Sequence, residues 1–221
     1  MEMILTIIFI LLVVFELTYF WIACRFNIID KPELRRSHGT LILRGGGILF
    51  PFAVCLFELF FGPEYLWFFL GLLMVGSISF ADDMRSLSYG ARLVVQFVAV
   101  TLLFFQSGIL QPGVWWWVVP ALIAGVGIVN AFNFMDGING ITGGYSLAVL
   151  IPLAILNSKH CFISHELIYV VSMSVLIFSY FNFRKVAKCF AGDVGSISIA
   201  LILLFALLQL IIKTQDVSYI V

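Results

Sequence analysis

Eight apolar runs, at residues 4–23, 47–61, 65–80, 93–110, 114–130, 141–156, 167–181 and 194–212, take up most of this 221-residue chain. A helix needs roughly 20 mostly apolar residues to cross a bilayer core, and its backbone polar groups must be satisfied within it. With 62% hydrophobic and 11% charged residues and a mean hydropathy of +1.13, a soluble domain is excluded. The expected fold class is all-α: a polytopic integral membrane protein of about eight transmembrane helices, forming one domain over 1–221. The second and third runs are short, and each alone would also fit a re-entrant or interfacial piece. The first lacks a basic leader and is too long for a signal-peptide core, so it reads as a retained helix.

The charges between these runs set an orientation. With the N-terminus outside, the loops on one side hold Arg25, Lys31, Arg35, Arg36, Arg44, Arg85, Arg92, Arg184, Lys185 and Lys188. The other side holds Lys159 and Lys213, so ten of the 12 basic residues share one face, which the positive-inside rule makes cytoplasmic. Trp67 and Trp115, Trp116 and Trp117 then fall at outer span ends, where aromatic residues anchor at the interface. The cysteines have no metal-ligand or disulfide spacing.

Four polar clusters lie on that basic face. Asp30, Lys31, Arg35, Arg36 and His38 lead to Arg44 and Gly45–Gly46–Gly47. Glycines at a helix entrance let backbone N–H groups approach an anion, although the charges alone also suit a solvated loop. Asp82 and Asp83 are adjacent like charges at a membrane boundary and need a partner: a divalent cation, a phosphate-handling site, or Arg85 and Arg92 acting structurally. Asn130, Asn133, Asp136 and Asn139 form a third island, with amide and carboxyl groups suited to a metal, a sugar or a uracil edge, or to a turn between spans. Asp193, between Gly192 and Gly195, fits either a fourth site acid or a helix cap. Acids, arginines and glycine-rich loops on one membrane face suit a Mg2+-dependent phosphate enzyme working on a lipid.

Taken in order, the segments DKPELRRSHGTLILRGGGI, FADDMRSLSYGARLVVQ, NAFNFMDGINGITGG and NFRKVAKCFAGDVGS resemble the polyprenyl-phosphate N-acetylhexosamine-1-phosphate transferases of glycosyltransferase family 4. The resemblance implies transfer of a HexNAc-1-phosphate from a UDP-sugar to undecaprenyl or another polyprenyl phosphate, with release of UMP. It implies that Asp82 and Asp83 handle the lipid phosphate and metal, and that Asp193 is a Mg2+ ligand. Asn133, Asp136 and Asn182 would line the nucleotide site, and Lys31, Arg36, His38 and Arg44 would form a basic substrate loop. The implied cofactor is Mg2+, or Mn2+ in its place. The implied partners are a UDP-HexNAc, polyprenyl phosphate and membrane lipid, with a homodimer allowed and no nucleic acid. The implied location is a bacterial inner membrane, with the active face cytoplasmic. The Arg-Gly-Gly-Gly loop and NFMDGING look closer to the GlcNAc-type enzymes that start O-antigen, capsule or teichoic acid synthesis than to the phospho-MurNAc-pentapeptide enzymes.

Two departures stand out. Asn139 replaces an Asp common in the family, and no equivalent of the family's later spans and His-rich loop precedes Val221. A truncated product, a fragment or a minimal form completed by a partner all fit this, so the alternative function is an inactive paralogue acting as a membrane binding or assembly subunit. A transporter would need ionisable groups near the midplane. Glu16 and Glu58 are the candidates, and both read as packing or interfacial residues.

Overall fold

The computed structural model describes residues 1–30, 42–110 and 115–216. These form eight α-helices: α1 (Glu2–Arg25), α2 (Leu49–Phe61), α3 (Leu66–Met84), α4 (Tyr89–Gln106), α5 (Trp115–Met135), α6 (Ile141–His160), α7 (His165–Asn182) and α8 (Gly192–Thr214). Each grows from one of the eight apolar runs. Six of them, α1, α3, α4, α5, α6 and α8, are long and apolar enough to cross a membrane, whereas α2 has 13 residues. The chain is thus an all-helical, polytopic membrane protein.

Helix starts and stops follow local chemistry. Ser88 Oγ accepts the N–H of Ala91 at the start of α4, and Ser164 Oγ accepts that of Leu167 at the start of α7, so each serine satisfies a donor the first turn leaves open. At the Ser164 end of the bundle, opposite to Ser88, Glu58 Oε1 accepts the N–H of Tyr65, and the Tyr65 hydroxyl accepts the N–H of Ser164. Glu58 is therefore a turn-closing residue. Trp67 and the exposed Trp116 and Trp117 also lie at that end.

Helix α8 is the bundle's axis: Val194 through Ala206 are all buried. It packs against α3, α5 and α6, while α1 turns Phe9, Ile10, Val14, Leu17 and Trp21 outward, as a lipid-facing helix does. Its inner face carries Glu16, which is fully buried. Stacking of Phe68 on Phe205 at 4.2 Å ties α3 to α8.

A short two-stranded ribbon pairs β1 (Ile29–Asp30) with β2 (Ile42–Leu43), antiparallel. Beyond β2 the chain runs beside residues 188–191. The N–H of Leu43 donates to Lys188 O (3.1 Å), that of Gly46 to Phe190 O (2.9 Å) and that of Gly47 to Ala191 O (3.1 Å). This contact requires glycine: a Cβ on Gly47 would strike the Cα of Gly195, and one on Gly195 would lie 2.6 Å from the Cα of Gly47. The glycine run therefore brings two backbones together at the head of α8.

Helix alternation places the C-terminal ends of α3, α5 and α7 with the N-terminal ends of α4, α6 and α8. Ser158, near the end of α6, and Ser86, just after α3, then belong to opposite ends of the bundle. With single-cysteine probes, a membrane-impermeant maleimide added outside intact cells is expected to label Ser158→Cys and to spare Ser86→Cys. External labelling at position 86 would reverse the orientation.

Candidate active site

The C-terminal turn of α3 presents two neighbouring acids with different surroundings. Asp83 is buried, and its Oδ1 and Oδ2 accept the backbone N–H groups of Asp193 and Val194, each at 3.0 Å. Arg44 Nε lies 2.7 Å from the same carboxylate. An acid of α3 thus caps α8, where the helix dipole favours negative charge. Gly192, at φ +70°, makes room for it: a Cβ there would meet Asp83 Oδ2 at 2.6 Å.

Asp82 points to the other side. Its Oδ1 accepts the N–H of Leu87 (2.6 Å) and its Oδ2 faces Arg92 Nη1 (2.6 Å). The same Arg92 nitrogen lies 2.7 Å from Asp193 Oδ2, so one cationic atom draws together carboxylates from α3 and α8. Arg44 Nη2 approaches Asp193 Oδ1 at 3.6 Å. Asn133, in the last turn of α5, also bears on Asp193 and steadies its charge.

Asp136 completes the acidic group just past α5. Burial pushes its carboxyl above the usual carboxylate range, the Thr142 hydroxyl donates to it and works the other way, and the nearby charge of Asp193 pushes it up again. Four carboxyl groups, those of Asp82, Asp83, Asp136 and Asp193, thus share a neighbourhood with the guanidinium groups of Arg44 and Arg92. With all six ionised, two negative charges remain uncompensated.

The residues expected from sequence separate into three groups. Asp82, Asp83, Asp193, Asn133, Asp136 and Arg44 converge. Asn182 serves as a clamp: its Oδ1 accepts the N–H of Gly140 (2.7 Å) and its Nδ2 donates to Cys189 O (2.8 Å), which ties the α5–α6 turn to the α7–α8 turn. Lys31, Arg36 and His38 lie outside the described residues. Arg92, expected as a loop charge that could neutralise the acid pair, does pair with Asp82, but it is on the first turn of α4 and at the centre of the cluster. Sequence reasoning missed Tyr19. Its hydroxyl donates to the carbonyl of Arg44 at 2.5 Å and so fixes the arginine's backbone. Asn130 instead braces α5 against α4 through Gln96 Oε1 at 2.6 Å.

The donor chemistry suits Mg2+. Asp82 and Asp193 offer hard carboxylate oxygens that already converge on a single cationic point, which Arg92 Nη1 marks. Among the described residues there is no set of three acid, His or Cys side chains in ligating geometry, so a cation here would depend on further oxygens from substrate or water, as Mg2+ commonly does.

A family model, glycosyl transferase family 4, matches residues 65–211, which hold α3 through most of α8 and both acids of the pair. The chain belongs to glycosyl transferase family 4. It is 27% identical over 195 residues to a probable undecaprenyl-phosphate N-acetylglucosaminyl 1-phosphate transferase of Bacillus subtilis, covering 80% of this chain and 53% of that protein. It is 30% identical over 207 residues to an undecaprenyl-phosphate alpha-N-acetylglucosaminyl 1-phosphate transferase of Yersinia pestis (85% and 57%). It is 32% identical over 189 residues to a phospho-N-acetylmuramoyl-pentapeptide-transferase of Thermotoga neapolitana (77% and 61%). The chain therefore spans between about half and three-fifths of the length of these relatives.

Proposed function

We propose that this chain carries the transferase site of an enzyme that moves a HexNAc-1-phosphate, of the GlcNAc type, from a UDP-sugar to polyprenyl phosphate. An oxygen of the lipid phosphate bonds to the β-phosphorus of the donor, the bond from that phosphorus to the bridging oxygen breaks, and UMP leaves with the electron pair. The observation that carries this reading is the convergence of Asp82, Asp83 and Asp193 with Arg44 and Arg92 at one end of an apolar bundle. A lipid's phosphate can reach that end from the membrane surface, while a water-soluble donor arrives from solution.

Both substrates are anionic, so the site's first task is to offset their repulsion, and Arg44 and Arg92 provide fixed positive charge for it. Asp82 and Asp193 would hold Mg2+, which supplies Lewis-acid polarisation of the pyrophosphate when bound. Asn133 steadies Asp193, and Asp136 offers a carboxyl edge to the nucleotide sugar. A phosphate monoester is already largely dianionic at neutral pH, with a second pKa near 6, so a general base contributes little and positioning dominates. The occupied oxygens of Asp83 favour direct attack by the lipid phosphate over a covalent intermediate on that residue. The proposed setting is a bacterial inner membrane with the site facing the cytoplasm, and the product begins a cell-envelope glycan.

Purified chain, polyprenyl phosphate, UDP-GlcNAc and Mg2+ are expected to yield UMP, with none formed when the lipid or Mg2+ is omitted. UMP from UDP-MurNAc-pentapeptide alone would keep the chemistry and change the sugar. No UMP from either donor, with both still bound, would favour the binding-subunit alternative.

A further inference from the structure

Arg44 and Arg92 both neutralise acids, but only one of them is built into the framework. Arg44 meets an Asp83 carboxylate that has no exposed side-chain surface and is held by two backbone N–H groups. Arg92 meets Asp82 and Asp193 through one nitrogen, and both of those side chains keep some exposure, at 10% and 17%. The contrast lies in the acids they meet and not in the arginines' own exposure, 26% for Arg92 and 36% for Arg44. The guanidinium also lies over the ring of Tyr89, 5.9 Å from its centroid, and that ring is exposed at the first residue of α4. A cation–π surface one turn away gives the arginine a second resting place within reach of its flexible stem.

We propose that Arg92 is an exchangeable counter-cation. It holds the Asp82 and Asp193 carboxylates converged until a divalent cation takes them, and is then released to face the phosphate that arrives with that cation. This rests on the metal reading above. The charge balance supports exchange: among the described residues the cluster's four carboxyl groups outnumber its two guanidinium groups, which favours a divalent ion, and Asp82 and Asp193 need not separate when Arg92 leaves if that ion replaces it. Arg92 is then a positioning residue for the metal-free state and a phosphate contact for the loaded one.

Mn2+ serves as the probe, titrated into the purified chain in detergent micelles and followed by the electron paramagnetic resonance signal of the free ion. Removing the competing cation in Arg92→Met is expected to tighten Mn2+ binding about tenfold, at the low end for losing a charge-assisted contact. Arg92→Lys keeps the charge and is expected to bind close to wild type. A short-chain, water-soluble polyprenyl phosphate should raise Mn2+ affinity in wild type and add much less in Arg92→Met. A folded Arg92→Met that binds Mn2+ no tighter than wild type would overturn the exchange. If Arg92→Met is unfolded in chelator, recovery of its thermal transition by Mn2+ supports exchange, and failure to recover at saturating Mn2+ overturns it. Wild type that binds no Mn2+ at millimolar concentration removes the metal reading and this inference together, whereas binding without tightening removes only the inference.

Discussion

Turnover by Asp193→Asn is expected to fall by roughly two to three orders of magnitude, a range typical for losing one preorganised electrostatic contact in a catalytic site. The amide keeps the size of the carboxylate but removes its charge, and Asp193 is where Arg44, Arg92 and Asn133 all converge. The loss should appear both in UMP release and as weaker Mn2+ binding, opposite in sign to the tightening expected of Arg92→Met. Because Asp193 is at the first turn of α8 but its backbone, not its side chain, meets Asp83, the variant should unfold near the wild-type temperature. Normal turnover at ordinary Mg2+ in a folded Asp193→Asn would remove this residue from the metal site.

The bundle was readable because hydropathy is a local property. All eight apolar runs became helices, and even the short run at 47–61 ends at Phe61 as the helix does. Boundaries moved where polar residues extend a helix past its apolar part: α3 continues through Asp82 and Asp83 to Met84, and α4 begins at Tyr89, which places Arg92 on a helix. The acids of the site could be listed from sequence because an acid at a membrane boundary is costly without a reason. Their division of labour could not. That Asp83 caps α8, 110 residues away, or that Arg92 spans 101 residues to reach Asp193, depends on how helices pack, and no local pattern records it. The same holds for Asn182, for which the family resemblance implies a nucleotide contact and whose two hydrogen bonds join two turns, and for the contact between Gly47 and Gly195. Glu16, expected to be a packing or interfacial residue, packs: it is fully buried, with Cys189 Sγ 3.9 Å from its Oε1.

The adjacent acids should respond to the same substitution in opposite ways. In Asp83→Asn one oxygen becomes an NH2 group, which cannot accept from the N–H of Asp193 or Val194, so a donor is set against a donor inside the protein. An orphaned buried donor costs about 1–3 kcal/mol, and the loss of charge also weakens the hold on Arg44 and the cap on α8. The head of α8 is the part of the fold that the 43–47 segment, α3 and the Asn182 clamp all depend on, so the damage should spread. Asp83→Asn is therefore expected to give little folded protein, or protein whose thermal unfolding in detergent begins well below wild type. Asp82→Asn is expected to fold, because its carboxylate meets Leu87 N–H and Arg92 at a partly open edge, and to lose turnover about as severely as Asp193→Asn. Fluorescence-detected unfolding of both variants, alongside UMP release from whatever folds, separates the two roles. An Asp83→Asn protein with wild-type stability and no turnover would return Asp83 to the chemistry and leave the capping of α8 to other groups.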